Sequence, residues 1–549
     1  MSFIPQNDEQ RRLVETEAAK TVVLGGAGVG KTTSALAAAR AHLERSTTAS
    51  FDRVLFLSFS RASVGRISSR SHELLGSFAP RVDVMTFHSL AFSLVRRFGS
   101  VVGCVNPVLV SPPREKHGVQ PGQLVYSDLM PLALKIIRAS PAVANHVSSR
   151  WGLVIVDEFQ DTGNAQQELL EALAKSARVM LLGDPDQCIF TFLARDGVRL
   201  ERIHEACEDA GALNTVLMPD ASFRDPSGVI PAVARAIQRR EFSAPALREA
   251  ISTDRLQLLG GIAMEDEVEV AARVVKNLRE EGLGVAIFTH HNDKLAVLSD
   301  GLAAAGVDHE ILGLSDAIAC ALDAQVALLR FGAGIGDWGV FLESLAVFVT
   351  SAQRGKGLPL LAREILEDRV PPVIQSQLNS LKAGLVSETS VPRFLELARN
   401  AHSHLGLMEK ESAWALAAQM LRPMHARARR ETSGLEVQRV VEYIGAAARE
   451  ATYSLLTDTS SDPHEVQLMN LYQTKGREAD ATVVILRQGD VMGYEDEPFP
   501  SVSRLLYVVF SRARQRIVVL LVGENLHPAV SPLADLAADH SQPLPALAG

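Results

Sequence analysis

The feature that most constrains the fold is a glycine-rich loop between a short apolar run and a helical segment. The run from Gly25 to Thr32 reads Gly-Gly-Ala-Gly-Val-Gly-Lys-Thr and directly follows Val22–Leu24. Glycines let backbone N–H groups wrap phosphate oxygens, and the N-terminus of the next helix adds a favourable dipole. Lys31 would then face the terminal phosphates of a nucleotide, and the Thr32 hydroxyl would ligate Mg²⁺. The residues predicted to contact the nucleotide here are Gly25, Gly26, Ala27, Gly28, Val29, Gly30, Lys31, Thr32 and Thr33.

Short β-branched runs alternate with helical stretches through the first half of the chain. This alternation is typical of a parallel sheet covered by helices, so the sequence predicts an α/β fold. A second α/β region is expected to start near Leu213, with a strand at Gly284–Phe288. The strands predicted for the first region are Val22–Leu24, Val54–Leu57, Val82–Met85, Val154–Val156 and Val179–Leu182.

Helix formers dominate from about Ser315 to Asp462, and strand signals then return. The simplest topology treats this block as a helical insertion, and joins the late strands to the second α/β unit. The predicted helices of the block include Ala413–Arg430 and Val437–Leu455, and the predicted late strands are Val466–Leu471, Ala481–Leu486 and Arg516–Val522.

An acidic pair ends one of the predicted strands. Leu153-Val-Ile-Val is followed by Asp157 and Glu158. A carboxylate at the carboxyl end of a strand can hold Mg²⁺, and the next carboxylate can orient or deprotonate a water molecule. Beside a complete phosphate loop, the pair predicts a catalytic site rather than a solvated turn.

The composition indicates the cellular compartment of the protein but does not identify its substrate. The four cysteines are scattered, which argues against a cluster or disulfide framework and fits a reducing compartment. No apolar run approaches the roughly 18 residues that span a bilayer, so we expect a cytoplasmic protein with no membrane association. The net charge of −9 is unfavourable for a protein that coats DNA, so any DNA contact must come from a local groove.

The residues after the acidic pair read Phe-Gln-Asp-Thr162. Together with the phosphate loop, this run resembles the UvrD/Rep/PcrA group of superfamily 1 helicases, and further matches follow in the family's order. The resemblance implies that Gln10 reads adenine, that Gln187 senses the γ-phosphate and that Phe223 stacks on the base. It also implies that Arg224 reaches the γ-phosphate, that Glu478 contacts the ribose and that Arg512 acts as an arginine finger. The implied catalytic set is Lys31, Glu158, Gln187, Arg224 and Arg512, with Thr32 and Asp157 on the metal.

The same resemblance implies a groove for single-stranded DNA, although its motifs depart from the family more than those of the nucleotide site do. The usual Asn-Lys pair is Arg61-Ala62, and Leu193 stands where the family has an arginine. Aromatic side chains could still stack on bases. The predicted DNA contacts are Phe59, Arg61, Thr86, Phe87, His88, Phe190, Phe192 and Tyr472.

The resemblance also implies two RecA-like parallel-sheet lobes of the P-loop NTPase class. We expect the first lobe at 1–205, with a small insertion at about 103–148. We expect the second lobe at 206–314 and 464–535, the helical insertion at 315–463, and a loose tail at 536–549.

Two functions compete at this point. The first is an ATP-dependent helicase or translocase on single-stranded or tailed DNA, with 3′→5′ polarity by family resemblance. The second is a DNA-sensing regulatory ATPase that partners a separate nuclease in a bacterial defence or repair complex. The compact chain resembles the short UvrD-like proteins of antiphage systems such as Gabija, which favours the second. A third possibility, beside these two, is an ATPase without any nucleic-acid function.

Overall fold

The structure of the protein is a computed structural model that describes most of the chain. The described residues are 4–46, 52–59, 61–119, 122–190, 196–290, 292–312, 315–351, 357–408, 410–431, 436–457, 465–490 and 495–540. Two six-stranded parallel sheets form the centres of two α/β lobes, and a block of helices is inserted into the second lobe.

The first sheet has the strand order β3-β2-β6-β7-β1-β8, and all of its pairs are parallel. Its central strands are buried on both faces, which explains why they read as continuous apolar runs. A separate small sheet pairs β4 with β5. The strands are β1 (Lys20–Leu24), β2 (Val54–Ser58), β3 (Val82–Thr86), β4 (Val108–Leu109), β5 (Gln123–Leu124), β6 (Leu153–Val156), β7 (Arg178–Gly183) and β8 (Thr215–Leu217).

Helices cover both faces of the first sheet. Leu36 and Ile67 lie in the core on one face, and Leu90 and Ile136 lie in the core on the other. The helices are α1 (Asp8–Glu15), α2 (Lys31–Arg45), α3 (Arg61–Leu75), α4 (Phe87–Phe98), α5 (Pro112–Glu115), α6 (Tyr126–Ala139), α7 (Pro141–Ser149), α8 (Asn164–Leu173) and α9 (Glu201–Ala210).

Two boundaries of the first lobe differ from the prediction. Strand β8 pairs with β1, so the first lobe continues to Leu217 instead of ending at 205. Within the predicted insertion at 103–148, α6 and α7 bury Leu129 and Val147 in the core of the first lobe. Strand β4 also contributes Leu109 to this core, while α5 contacts the inserted helices. The first difference reflects tertiary packing of β8, a strand of three residues with a weak local signal.

The second lobe begins after β8. Its first elements are α10 (Val229–Gln238), α11 (Pro245–Ser252), β9 (Leu256–Ile262), α12 (Glu267–Glu280), β10 (Val285–Thr289), α13 (Asn292–Ala304) and β11 (Glu310–Ile311).

The first helix of the insertion begins at Ser315. Its longest helices surround α14, which is buried along most of its length. Large apolar side chains such as Phe341, Phe394 and Trp414 are fully buried there. The helices are α14 (Ser315–Gly332), α15 (Trp338–Thr350), α16 (Leu360–Leu366), α17 (Pro372–Val386), α18 (Val391–His404), α19 (Glu411–Glu431) and α20 (Val437–Thr457).

The chain then returns to the second sheet, as the topology argument expects. The late strand β12 pairs with the early strands β10 and β11, and the order is β11-β12-β10-β13-β14-β9. The tail is helical as far as His540 and is not loose there. No helix of the described residues is long and apolar enough to span a bilayer. The last elements are β12 (Val466–Asn470), β13 (Ala479–Arg487), α21 (Pro500–Phe510), β14 (Ala513–Val522) and α22 (Ser531–His540).

Candidate nucleotide site and nucleic-acid interface

The glycine-rich loop joins β1 to α2 and approaches the second lobe closely. Gly28 and Gly30 have φ values of 79° and 88°, which L side chains rarely adopt. A Cβ atom on Gly28 would lie 2.5 Å from Ser222 Oγ, so a side chain there would collide with the chain between the lobes. Lys31 Nζ donates to the carbonyl oxygens of Gly25 and Gly26, the latter at 2.9 Å. These two hydrogen bonds hold the Lys31 side chain against the backbone of the loop, at the N-terminus of α2.

The acidic pair lies beside the loop because β6 and β1 are parallel strands of one sheet. Asp157 is 3% exposed, and its Oδ2 lies 3.5 Å from Thr32 Oγ1. Burial and the neighbouring Glu158 raise the pKa of Asp157 to about 6. Because burial disfavours the ionised form of this carboxylate, a cation placed beside it would stabilise its charge.

Glu158 has the opposite electrostatic balance. Burial alone would raise its pKa, but Lys475, Lys31 and Arg512 together lower it. Glu158 adopts a left-handed backbone conformation with φ of 55°, and its carboxylate accepts a hydrogen bond of 2.5 Å from Gln160 Nε2. The side chain is therefore charged at neutral pH and held in one position.

The opposite wall of the site belongs to the second lobe. Arg512 is 2% exposed and donates to Gln187 Oε1 at 2.7 Å, which joins the two lobes. Burial and the nearby Arg224 lower the pKa of Arg512 to about 10. Arg224 donates to Glu478 Oε1 at 2.7 Å and to the Ser511 carbonyl. Burial raises the pKa of Glu478, but Arg224 and Arg66 hold it well below its usual range.

One end of the site is suited to a flat ring. Phe223 N donates to the Gly28 carbonyl at 2.9 Å. The edge of its ring lies so close to Gly30 that a Cβ atom added there would be 3.3 Å from it. Phe223 is 46% exposed, so a face of its ring is open to a ligand. Gln10 is buried beside it, and its Oε1 accepts from Gln6 N at 2.8 Å. An aromatic face next to an amide can stack on and hydrogen-bond a base.

These groups line a single cavity of about 540 Å³ between the lobes. Every residue predicted for the nucleotide or its metal lines the cavity except Gly25, which contributes its carbonyl oxygen to Lys31. Sequence analysis missed Arg66 and Arg70, which lie one turn apart on α3. Their i,i+4 spacing is a signal that could have placed both on one helix face. The other missed lining residues are Gln6, Glu73, Leu74 and Arg514.

Three of the predicted DNA contacts come together at the junction of the lobes. The rings of Phe59 and Phe190 lie 4.9 Å apart between centroids, and the rings of Phe190 and Tyr472 lie 6.4 Å apart. All three side chains are partly buried, and they form what we call the aromatic strip. The predicted contact Phe192 and the side chain of Arg61 lie outside the described residues.

Comparison with known proteins agrees with this geometry. The UvrD/REP helicase N-terminal domain matches residues 6–116 and 114–206. ATP-dependent DNA helicase UvrD1 of Mycobacterium leprae is 22% identical, covering 93% of this chain and 82% of its own length. DNA helicase II of Escherichia coli is also 22% identical, covering 93% of this chain and 84% of its own length. ATP-dependent DNA helicase PcrA of Staphylococcus epidermidis is 20% identical over 56% of this chain and 51% of its own length.

Residues 6–206 thus match the N-terminal domain of UvrD/REP helicases, and the chain is similar to UvrD-like superfamily 1 helicases over 93% of its length. The two parallel sheets are accordingly its two RecA-like lobes, and the cavity lies in the cleft between them. The comparisons do not extend to a link with antiphage systems, which stays a prediction.

In this UvrD-like chain, the first two residues of the Thr-Phe-His motif have roles in the fold that the sequence does not indicate. Thr86 is 6% exposed and caps α4, where its hydroxyl accepts from Ser89 N at 3.0 Å. Phe87 is 2% exposed within the core of the first lobe, a position that does not favour the predicted contact with DNA. His88 is partly exposed and packs edge-on against Tyr126, with 5.9 Å between ring centroids.

A buried ion pair between the lobes was not predicted at all. Lys475 of the second lobe contacts Asp161 of the first, and their side chains are 1% and 0% exposed. Burial raises the pKa of Asp161 to about 7, although Lys475 opposes the rise. The Lys475 ammonium also lies 5.2 Å from the ring centroid of Phe190. Lys475 therefore contacts both Asp161, three residues after Glu158, and the aromatic strip.

Proposed function

We propose that this chain hydrolyses ATP in the cleft between its lobes and uses the cycle to act on single-stranded DNA as a helicase or translocase. The observation that carries the proposal is the hydrogen bond between Arg512 and Gln187, because it brings a cation of the second lobe onto the catalytic wall of the first. Transition-state charge is then stabilised fully only when the lobes close, which couples hydrolysis to movement.

In this proposal Glu158 is the general base. Its lowered pKa keeps it ionised at neutral pH, and Gln160 fixes the carboxylate. It can therefore accept a proton from a water molecule in line with the γ-phosphate. Lys31, Arg224 and Arg512 supply positive charge around the transferred group.

The chain's residues fit Mg²⁺ beside this base. Thr32 Oγ1 and Asp157 Oδ2 are hard oxygen donors 3.5 Å apart, and the burial of Asp157 favours a cation next to it. Bound there, the metal would neutralise charge on the phosphate oxygens. The protein's own contribution is to hold these two oxygen atoms at the mouth of the phosphate loop.

The DNA part of the proposal rests on the aromatic strip and on the relatives, which are named as DNA helicases. Bases that stack on protein rings gain about 1–3 kcal/mol each. The strip crosses the junction of the lobes, so closing the cleft would displace any base that rests on it. The 3′→5′ polarity is carried over from the family resemblance.

A second candidate is a DNA-sensing ATPase with little unwinding of its own. The rings of the strip pack against one another, and Phe87 is unavailable, so the surface for bases is small. The net charge of −9 also disfavours contact with many phosphates along the DNA. Such a protein would pass DNA ends to a nuclease partner, as in a bacterial defence or repair complex in the cytoplasm.

The deciding experiment measures ATP hydrolysis with and without single-stranded DNA, together with unwinding of 3′-tailed and 5′-tailed duplexes. The proposal expects hydrolysis that DNA stimulates, unwinding only of the 3′-tailed substrate, and loss of both in Lys31→Ala. Lys135→Ala removes an exposed lysine of the same lobe and serves as the matched control.

Other outcomes separate the candidates. DNA-stimulated hydrolysis without unwinding, together with a nuclease that co-purifies, supports the sensor. A hydrolysis rate that DNA does not change, with no DNA binding, would reject both. Hydrolysis that survives in Lys31→Ala would reject the proposed site itself.

A further inference from the structure

Helix α3 presents a basic face to the nucleotide cleft that no predicted motif includes. Arg66 and Arg70 are four residues apart and both line the cavity, as do Glu73 and Leu74 one turn later. Arg70 Nη1 donates to Thr33 Oγ1 at 3.3 Å, which ties it to the start of α2. Arg66 instead points across the cleft toward the second lobe.

Arg66 is held there by a carboxylate that also binds a predicted catalytic arginine. Arg66 Nη1 and Arg224 Nη2 both donate to Glu478 Oε1 at 2.7 Å. Arg514 Nη2 approaches Glu478 Oε2 at 3.3 Å from the rim. Glu478 thus accepts from three guanidinium groups, one in the first lobe and two in the second.

The cavity carries more positive than negative charge even with Glu478 in place. Four carboxylates line it, namely Glu73, Asp157, Glu158 and Glu478, against six cations. A cavity whose lining carries a net positive charge attracts a polyanion. The cations are Lys31, Arg66, Arg70, Arg224, Arg512 and Arg514.

Arg66 is close to the groups that surround the terminal phosphates. Arg66 lines the same cavity as Lys31, Thr32 and Asp157. The side chain of Arg66 is 22% exposed, and its Nε is buried without a hydrogen-bond partner among the described residues. A planar guanidinium with an unused donor can bind phosphate oxygens in a bidentate manner.

We infer that Arg66 is a triphosphate-binding residue of the first lobe, and that Glu478 occupies it across the cleft until the phosphates replace the carboxylate. The inference rests on the proposed function and adds a residue and an exchange of partners to it. As the nucleotide enters, Glu478 releases Arg66 and Arg224 together. Until then the Glu478 carboxylate partly neutralises both arginines.

The first test compares nucleotide affinities of the full-length chain. Mant-ATP and mant-ADP are titrated with Mg²⁺ into wild type, Arg66→Gln and Arg66→Lys. We expect Arg66→Gln to weaken mant-ATP about tenfold, and mant-ADP by less than about twofold, with Arg66→Lys between wild type and Arg66→Gln. Arg138→Gln removes an exposed, ion-paired arginine of the same lobe and is the matched control.

The second test isolates the exchange by omitting the ribose. Binding of inorganic tripolyphosphate with Mg²⁺ is measured for Glu478→Gln and for the double variant with Arg66→Gln. Without the competing carboxylate, Glu478→Gln should bind tripolyphosphate several-fold more tightly than wild type. The gain should disappear in the double variant. Circular dichroism and thermal melts confirm that each variant folds.

The outcomes separate this inference from the proposed function. Equal losses of mant-ATP and mant-ADP in Arg66→Gln, or no loss of either, would overturn the role of Arg66. Tripolyphosphate binding that is unchanged or weaker in Glu478→Gln would overturn the exchange. In each case wild-type hydrolysis that depends on Lys31 leaves the proposed function standing. A wild type that binds no ATP rejects both.

Discussion

The nucleotide cleft and the aromatic strip lie side by side at the junction of the lobes, yet their side chains are held in different ways. In the cleft, the partly buried Glu158 and the buried Arg512 are each fixed by a polar partner. In the strip, Phe59, Phe190 and Tyr472 are positioned by contact with one another. Polar partners impose direction and distance, whereas ring packing tolerates substitution. The geometry of the cleft therefore depends on individual hydrogen bonds, and that of the strip on the fit of its rings.

The two regions are connected through Lys475. It forms the buried pair with Asp161, is the strongest of the cations that lower the pKa of Glu158, and lies over the ring of Phe190. A movement of this lysine would change the electrostatics of the base and the packing of the strip together. The comparison can therefore be tested on each side and at the link.

The largest effect is expected from Glu158→Gln in the cleft. The amide keeps the shape of the side chain but cannot accept a proton, so kcat for ATP should fall by about 10²–10⁴-fold. Affinity for mant-ATP should change little, because the cations of the cavity remain. Steady-state hydrolysis and a fluorescence titration measure the two effects. Glu168→Gln, on the surface of the same lobe, is the control, and normal turnover in Glu158→Gln would remove it from the role of base.

The next effect is expected from Lys475→Met at the link. Removing one partner of a buried ion pair leaves the other charge uncompensated and typically costs about 3–5 kcal/mol. The midpoint of urea denaturation should fall clearly for Lys475→Met. The double variant Lys475→Met/Asp161→Leu should recover much of the loss, because it leaves no buried charge. A double variant less stable than the single one would show that the pair is not an isolated unit.

The same contrast separates what the sequence predicts from what it does not. The glycine loop and Asp157–Glu158 are local in sequence, and the parallel order of β1, β7 and β6 brings them together without further information. Lys475 and Asp161 are 314 positions apart, and no local pattern indicates that they meet. The burial of Phe87 is not predicted, because a motif fixes its residue type but not which face of α4 it occupies. Strand β8 is three residues long, too short for its periodicity to show which sheet it joins.

A smaller effect is expected from Phe190→Ala in the strip. Loss of its ring should weaken binding of single-stranded DNA by about 1–3 kcal/mol, roughly the contribution of one stacked base. ATP hydrolysis without DNA should change much less, since Phe190 does not line the nucleotide cavity. Fluorescence anisotropy with a labelled oligonucleotide measures the first effect. DNA affinity equal to wild type would show that the strip is core packing between the lobes.

The smallest effect, and the one that separates core from interface most directly, is expected from Phe87→Leu. Phe87 is next to Thr86 and His88 in the motif but is buried in the core of the first lobe. The change should cost about 1 kcal/mol of stability through imperfect packing. It should leave the affinity for single-stranded DNA unchanged, in contrast to Phe190→Ala. If Phe87→Leu weakened DNA binding as much as Phe190→Ala without lowering the melting temperature, α4 would have to turn Phe87 outward when DNA binds. In that case the aromatic surface for DNA would extend from the junction of the lobes along the first lobe.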